Sequence, residues 1–318
     1  TGEFVEQAPF LEWLASDMAA AGITCQQCHL PPLADARGAP IADYIAHNPA
    51  GFPFPPTMPR QPFGLHHLAG GNVPMLRMLR ELNPGEADGL DAKIRRTRKN
   101  LETAIGLDVA GRVEEGALLV TVRVSNETGH KLPTGFPSRR VWLHLTVSDA
   151  AGKTMFESGA WDAKGEIAGL GGLEPHRARI TSPSQVVIYE AEMADSEGAV
   201  TTTLLRAATY AKDNRLLPLG FAPEGKLPDG VKPNSVSPVG IGGDPAFQPG
   251  GHTVIYEAPL KGREAPFRIT CEALYQSVKP SHVRAIAQLG AEQAASFADL
   301  FSRHSAPVVM ATTTVAVQ

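Results

Sequence analysis

Cysteine is scarce in this chain, with three in 318 residues: Cys25, Cys28 and Cys271. Three thiols cannot build the disulfide framework that replaces a core in small exported domains. Long apolar runs are missing as well, and no stretch of eighteen apolar residues exists, so no helix-length membrane span is expected. Neither sign of charge dominates: 29 Lys and Arg against 33 Asp and Glu leave a net charge of −4. No basic run marks a nucleic-acid or membrane footprint. There is no phosphate-binding glycine loop, and no serine or cysteine has an identifiable base beside it in sequence. Glu3, Glu6 and Glu12 are acids without a visible paired partner. What the chain does have is 43% hydrophobic residues, 31 glycines and 27 prolines. That supports a sizeable core with many loops, and the length implies two domains.

The pattern changes near residue 106. Before it, Phe10, Leu11, Leu14 and Met18 recur at helical spacing. Six prolines within residues 49–62 exclude regular helix or central strand there. A second helix is expected over Val73–Leu82. A third should start at Asn83, with Pro84 and Glu86 in its first turn and Leu90, Ile94, Leu101 and Ile105 as its stripe. Arg95, Arg96, Arg98 and Lys99 read as its solvated face. From Leu107 the apolar period is two, as in Leu118, Val120, Val122, Val124 and again in Val141, Leu143, Leu145, Val147. Further strands are expected over 185–192, 201–209, 252–258, 267–278 and 308–317, with a late helix over 281–304. The expected fold is α+β: a helical domain over 1–106, then an antiparallel β-sandwich over 107–318 carrying that late helix.

Cys25-Gln-Gln-Cys28-His29 is the motif that carries chemistry. Two thiols at this spacing can form thioethers with the two vinyl groups of one haem, and the adjacent histidine then lies beneath the iron. Zinc would need a second ligand pair, and thiol redox chemistry a βαβ setting; neither is visible. The expected cofactor is therefore one covalent haem c, with His29 as proximal ligand. A low-spin electron carrier needs a sixth ligand. His67 is preferred for it, in the glycine-flanked stretch Phe63-Gly-Leu-His-His-Leu-Ala-Gly-Gly-Asn72. His66, His130 and Met58 are alternatives, and His47 or an open iron remains beyond them. His144, His176, His252, His282 and His304 read as structural or exposed, Cys271 as a buried thiol, and the Asp213-Asn-Arg215 and Gly242-Gly-Asp244 stretches as turns.

Several phrases resemble a family of bacterial multihaem c-type cytochromes. These are Glu6–Trp13 running into Ile23–His29, His66–Asn72, Asn126–Arg140 with its Thr-Gly-His-Lys-Leu-Pro-Thr-Gly core, Leu205–Arg215 and Ala273–Val278. The resemblance implies His29 as proximal ligand and His66, His67 and His130 as candidate distal ligands, of this haem or of one on a neighbouring chain. Only one CxxCH motif is present, so the chain would be the C-terminal portion of a longer cytochrome or one subunit of an assembly. Haem c is attached after export, so a leader is expected to precede Thr1, and the location to be periplasmic or cell-surface. The expected role is an electron carrier between other cytochromes or redox proteins. The alternatives are a haem reductase or peroxidase with an open distal site, and an extracellular binding module whose haem is structural.

Overall fold

The computed structural model describes residues 4–53 and 57–318, so Glu3 and part of the proline-rich loop lie outside the description. The first third is helical. α1 (Pro9–Leu14) and α2 (Asp17–Ala20) replace the single helix expected over Phe10–Met18, because Ser16 between them is extended. α3 (Cys25–His29) is the haem-type motif itself, and α4 (Val73–Leu82) has the bounds read from the sequence. Asn72 caps α4: its side-chain oxygen accepts from Met75 N–H (3.3 Å) and also from the Ser277 hydroxyl (2.9 Å). The helix expected from Asn83 opens instead with a 3₁₀ turn, Pro84–Glu86, and α5 runs over Ala87–Glu102. Between α3 and α4 the described chain makes only isolated bridges, such as Asp43 with Arg60, as proline-rich backbone dictates.

Twelve strands follow: β1 (Ile105–Glu114), β2 (Ala117–Asn126), β3 (Arg140–Ser148), β4 (Thr154–Ser158), β5 (Arg179–Ile180), β6 (Ile188–Ala194), β7 (Val200–Thr201), β8 (Thr209–Asp213), β9 (Phe247–Gln248), β10 (Gly251–Pro259), β11 (Phe267–Gln276) and β12 (Val308–Val317). They form two sheets. One is ordered β1-β2-β10-β5 with β9 also on β10, and the other β12-β11-β3-β6-β7 with β4 on β3 and β8 on β6. Every pairing is antiparallel except β10 with β5. The β1–β2 hairpin turns on Glu115 and Gly116, both at positive φ (+49° and +81°), which suits the right-handed strand twist. The fold is thus mixed, with a small helical part ahead of an antiparallel sandwich. Two expected elements differ. Residues 201–209 are broken by a 3₁₀ turn (Leu204–Arg206) between β7 and β8, with Leu205 fully exposed. The late helix is two, α6 (Pro280–Ala287) and α7 (Glu292–Ser302), parted at Gly290 with φ +73°.

The period-two residues fill the sandwich. Leu118, Val120, Val122 and Val124 of β2 and Leu143, Leu145 and Val147 of β3 are all fully buried in one cluster with Val254, Tyr256 and Cys271. Each such aliphatic contributes about 1.5–3 kcal/mol relative to exposure. The same cluster continues into Ala8, Ala15, Val73 and Leu101, so the helices sit on the sandwich's own apolar mass. On the far face of its sheet, Trp142 packs with Ile167, Val186, Ile188 and Leu274 and donates its indole N–H to Gly159 O at 3.0 Å.

Candidate haem site

α3 is a single turn whose backbone is closed by its own side chains. Thr24 precedes it, and the Gln27 side chain accepts from the Thr24 N–H. A helical turn puts Cys25 and Cys28, three apart, on one face. Both thiols are exposed and line a cleft of about 460 Å³ with His29. The walls come from every part of the chain. Phe10, Trp13 and Met18 arrive from the first helices, Gly70 and Gly71 from the loop before α4, Asn100 and Leu101 from α5, His130 and Leu132 from the loop after β2, and Tyr275 from β11.

The two imidazoles in the cleft face one another. Their ring centroids are 6.4 Å apart and their planes differ by 17°. His29 Nδ1 lies 2.9 Å from Ala69 O, and His130 Nδ1 lies 2.9 Å from Lys131 O. A carbonyl only accepts, so each ring carries its proton on Nδ1 and keeps the Nε2 lone pair free. That is the arrangement by which a second partner orients a metal-binding histidine. Imidazole–metal bonds run to about 2 Å, and a ring centre lies about 1 Å behind its nitrogen, so two trans imidazoles on one metal have centroids about 6 Å apart. The observed separation fits that span. Burial pushes His130 below the ordinary histidine range, against the opposing pull of the Lys131 carbonyl and Glu12, which keeps the ring neutral as a ligand requires.

Glycine lets the walls of the cleft close on one another. A Cβ on Gly71 would fall 2.7 Å from the Tyr275 hydroxyl, and one on Gly129 would fall 3.0 Å from Met18 Sδ and 3.1 Å from Trp13 Cδ1. Thiols three apart, an adjacent imidazole, an opposed second imidazole and flat apolar walls are the donor set and shape that haem c requires. The residues present fit the group.

The other ligand candidates lie elsewhere. His67, preferred on sequence, does not line the cleft; its own carbonyl accepts from Lys93 Nζ. Burial, Arg96 and Lys93 together lower its proton affinity. His66 lines a separate cavity of about 910 Å³ with Gln26, Gln27, Leu30, Ile45 and Phe63, on the other side of α3. Met58 is 78% exposed, and His47 sits near Asp43 at 3.4 Å. The glycines around His66 and His67 serve the cleft through Gly70 and Gly71 rather than through those histidines. The signal for His130 was in the sequence, in the Thr-Gly-His-Lys-Leu-Pro-Thr-Gly phrase, but sequence order gives no hint that β2 ends opposite α3.

Two histidines read as exposed or merely structural have specific partners. His144 bridges Glu272 (3.0 Å) and Glu157 (2.9 Å), and His304 meets Glu81 (2.6 Å). His282 is buried with neither ring nitrogen bonded. A further cluster, His176, Asp244 and His252, escapes sequence reasoning because its members come from two loops and β10. Each histidine Nε2 lies 2.9 Å from the same Asp244 Oδ2. Asn214 accepts from Glu190 N–H and donates to Ile188 O, which fixes its amide nitrogen toward His176 Nδ1 at 3.1 Å. His176 therefore carries its proton on Nε2 and gives it to the carboxylate. A metal-ligating imidazole needs an acceptor at that second nitrogen, so this cluster is a closed hydrogen-bond clamp.

No protein-family model matches the chain, and no curated protein matches it. Among solved structures, a penta-haem cytochrome c552 from Thermochromatium tepidum aligns at a TM-score of 0.52 and 17% identity, over 98% of this chain. The alignment takes in 51% of that protein's chain, so this chain spans about half its length and shares its fold over that half.

Proposed function

We propose that this chain is an electron-transfer cytochrome that holds one haem c in the cleft, thioether-linked through Cys25 and Cys28. His29 is the proximal ligand and His130 the distal one. The observation that carries this reading is the pair of opposed, Nδ1-anchored imidazoles 6.4 Å apart beside the two thiols. When bound, the haem would supply one-electron chemistry, with His29 and His130 as the residues that would hold its iron. The chain's residues exclude water with Phe10, Trp13, Leu101 and Tyr275, and fix both rings through backbone carbonyls. Two anchored ligands leave no open position for peroxide or substrate, which favours a carrier over a reductase or peroxidase. The partners are other cytochromes or redox proteins, and the location is the periplasm or cell surface.

His130→Ala should convert a low-spin spectrum to a high-spin one that binds carbon monoxide, while His67→Ala and Met58→Leu leave it low-spin. A low-spin spectrum in His130→Ala would reject the ligand assignment. Haem released by acid-acetone would reject the covalent link.

A second feature favours a multihaem setting. The cavity with His66, Gln26 and Gln27 abuts the outer face of α3, on a chain that spans half of a penta-haem protein's length. A further haem, from another segment or a neighbouring chain, would take His66 as its ligand there. Reconstitution with a longer chain should then give a second low-spin centre that His66→Ala removes.

A further inference from the structure

The strongest unused feature is a group of four buried charges directly behind His130. Glu12 is fully buried on α1, although its neighbours Phe10 and Trp13 face the cleft. Its Oε2 accepts from the Lys131 N–H at 3.0 Å and from the Thr134 hydroxyl at 2.6 Å. Its Oε1 lies 3.0 Å from Arg215 Nη1. Arg215 in turn grips both oxygens of Asp213 at 2.7 Å, and Asp213 takes Lys131 Nζ at 2.6 Å. The four side chains are each 6% exposed or less. Two cations and two anions balance.

The bonding has a direction. The Lys131 carbonyl is what holds His130 Nδ1, and the Lys131 N–H is what Glu12 holds. On the other side, Asn126 and Thr128 both donate to His130 O at 2.8 Å. One carboxylate from the first helix, 119 residues away in sequence, therefore fixes the residue that aims the distal ring. Packing alone does not call for an ionised group here, because an unpaired buried charge is costly and a neutral loop anchor would hold the backbone equally well.

We propose that Glu12 is the positioning residue of the distal imidazole and completes the charge balance that sets the iron's reduction potential. The proposal rests on the reading that His130 is the sixth ligand. Glu12→Gln keeps the shape and one acceptor oxygen but leaves the buried group one positive charge in excess beside the iron. Reduction of the iron then becomes easier, since the reduced centre carries less positive charge. Glu12→Ala removes both anchors of the loop.

The test is redox titration and absorption spectroscopy of the haem-loaded protein. Glu12→Gln should remain low-spin with its midpoint potential shifted upward, and Glu12→Asp should stay near the parent potential. Glu12→Ala should show a high-spin fraction that added imidazole converts back to low-spin. Parent-like potential in Glu12→Gln together with a parent-like spectrum in Glu12→Ala would overturn the proposal. Should the alanine variant fail to accumulate, Thr134→Val removes one anchor without changing charge. It should speed displacement of the distal ligand by cyanide, and an unchanged rate overturns the positioning role. A His130→Ala protein that stays low-spin would sink the ligand reading itself, whatever the Glu12 variants do.

Discussion

His252 has to remain neutral in the folded chain. Burial, then His176 close by, pushes it down to about 4 from an ordinary 6.5, and His282, buried beside Lys279, falls to about 3. The unfolded chain therefore binds protons between about pH 6.5 and 4 that the folded chain does not, and stability falls as pH is lowered through that window. The His252 shift alone is worth on the order of 3 kcal/mol. Urea midpoints measured from pH 7 to 4 should drop, and His252→Gln should flatten the slope; an equal slope in the variant would exclude His252 as its source. Cys271 behaves as its strand pattern suggested. It is fully buried, burial and Glu272 push its thiol up to about 12, and it should resist alkylation until the protein unfolds. What the sequence hid at this scale was pairing: neither Glu12 nor Asp244 announces its partner, since ion pairs and clamps are made by chain segments that meet only after folding.

Among the elements, those with a strong internal period were legible and those set by neighbours were not. The ends of α4 and β12 were read residue for residue: Asn72 caps the one, and the other is rich in β-branched valine and threonine, although its pairing with β11 shifts register at Met310. Residues 201–209 carry threonines at both ends but no strict alternation; only the two ends pair with β6, and the backbone between them turns instead of extending. The late helix contains a glycine at positive φ, which splits it. β2 is the element whose loss should hurt most. It is the centre of its sheet, paired to β1 on one side and β10 on the other, and it delivers His130 at its end. Val122→Ala should cost about 1–3 kcal/mol through the cavity it leaves, read as a lower thermal midpoint. Because Val122 faces the sandwich and not the cleft, the spectrum of the proposed haem should stay as in the parent.

For the whole molecule, the sandwich and the helical part differ in what completes them. Fully buried aliphatic side chains fill the space between the sheets without help from any ligand, whereas Phe10, Trp13 and Met18 line the cleft itself. A Cys25→Ser, Cys28→Ser protein should thus keep hydrogen-exchange protection in β2, β3, β10 and β11 while α1 to α3 exchange faster. Uniform loss of protection across both parts would show that the sandwich does not stand alone. The division of the chain into a helical, motif-bearing part and a period-two part could be seen in the sequence. Its closure over one cleft could not, since α1, the loop after β2 and β11 are joined there by contacts more than a hundred residues apart.

Asn72 ties these scales together. One side-chain oxygen starts α4 and also takes the Ser277 hydroxyl just past β11, three residues after Ala69, whose carbonyl holds the His29 ring. The His29 ring is consequently tied to the end of a strand as well as to the short turn that bears it. A shift of that strand end would therefore be felt at once by the start of α4 and by the carbonyl that orients the ring, so the sandwich and the motif-bearing turn share a single hinge point.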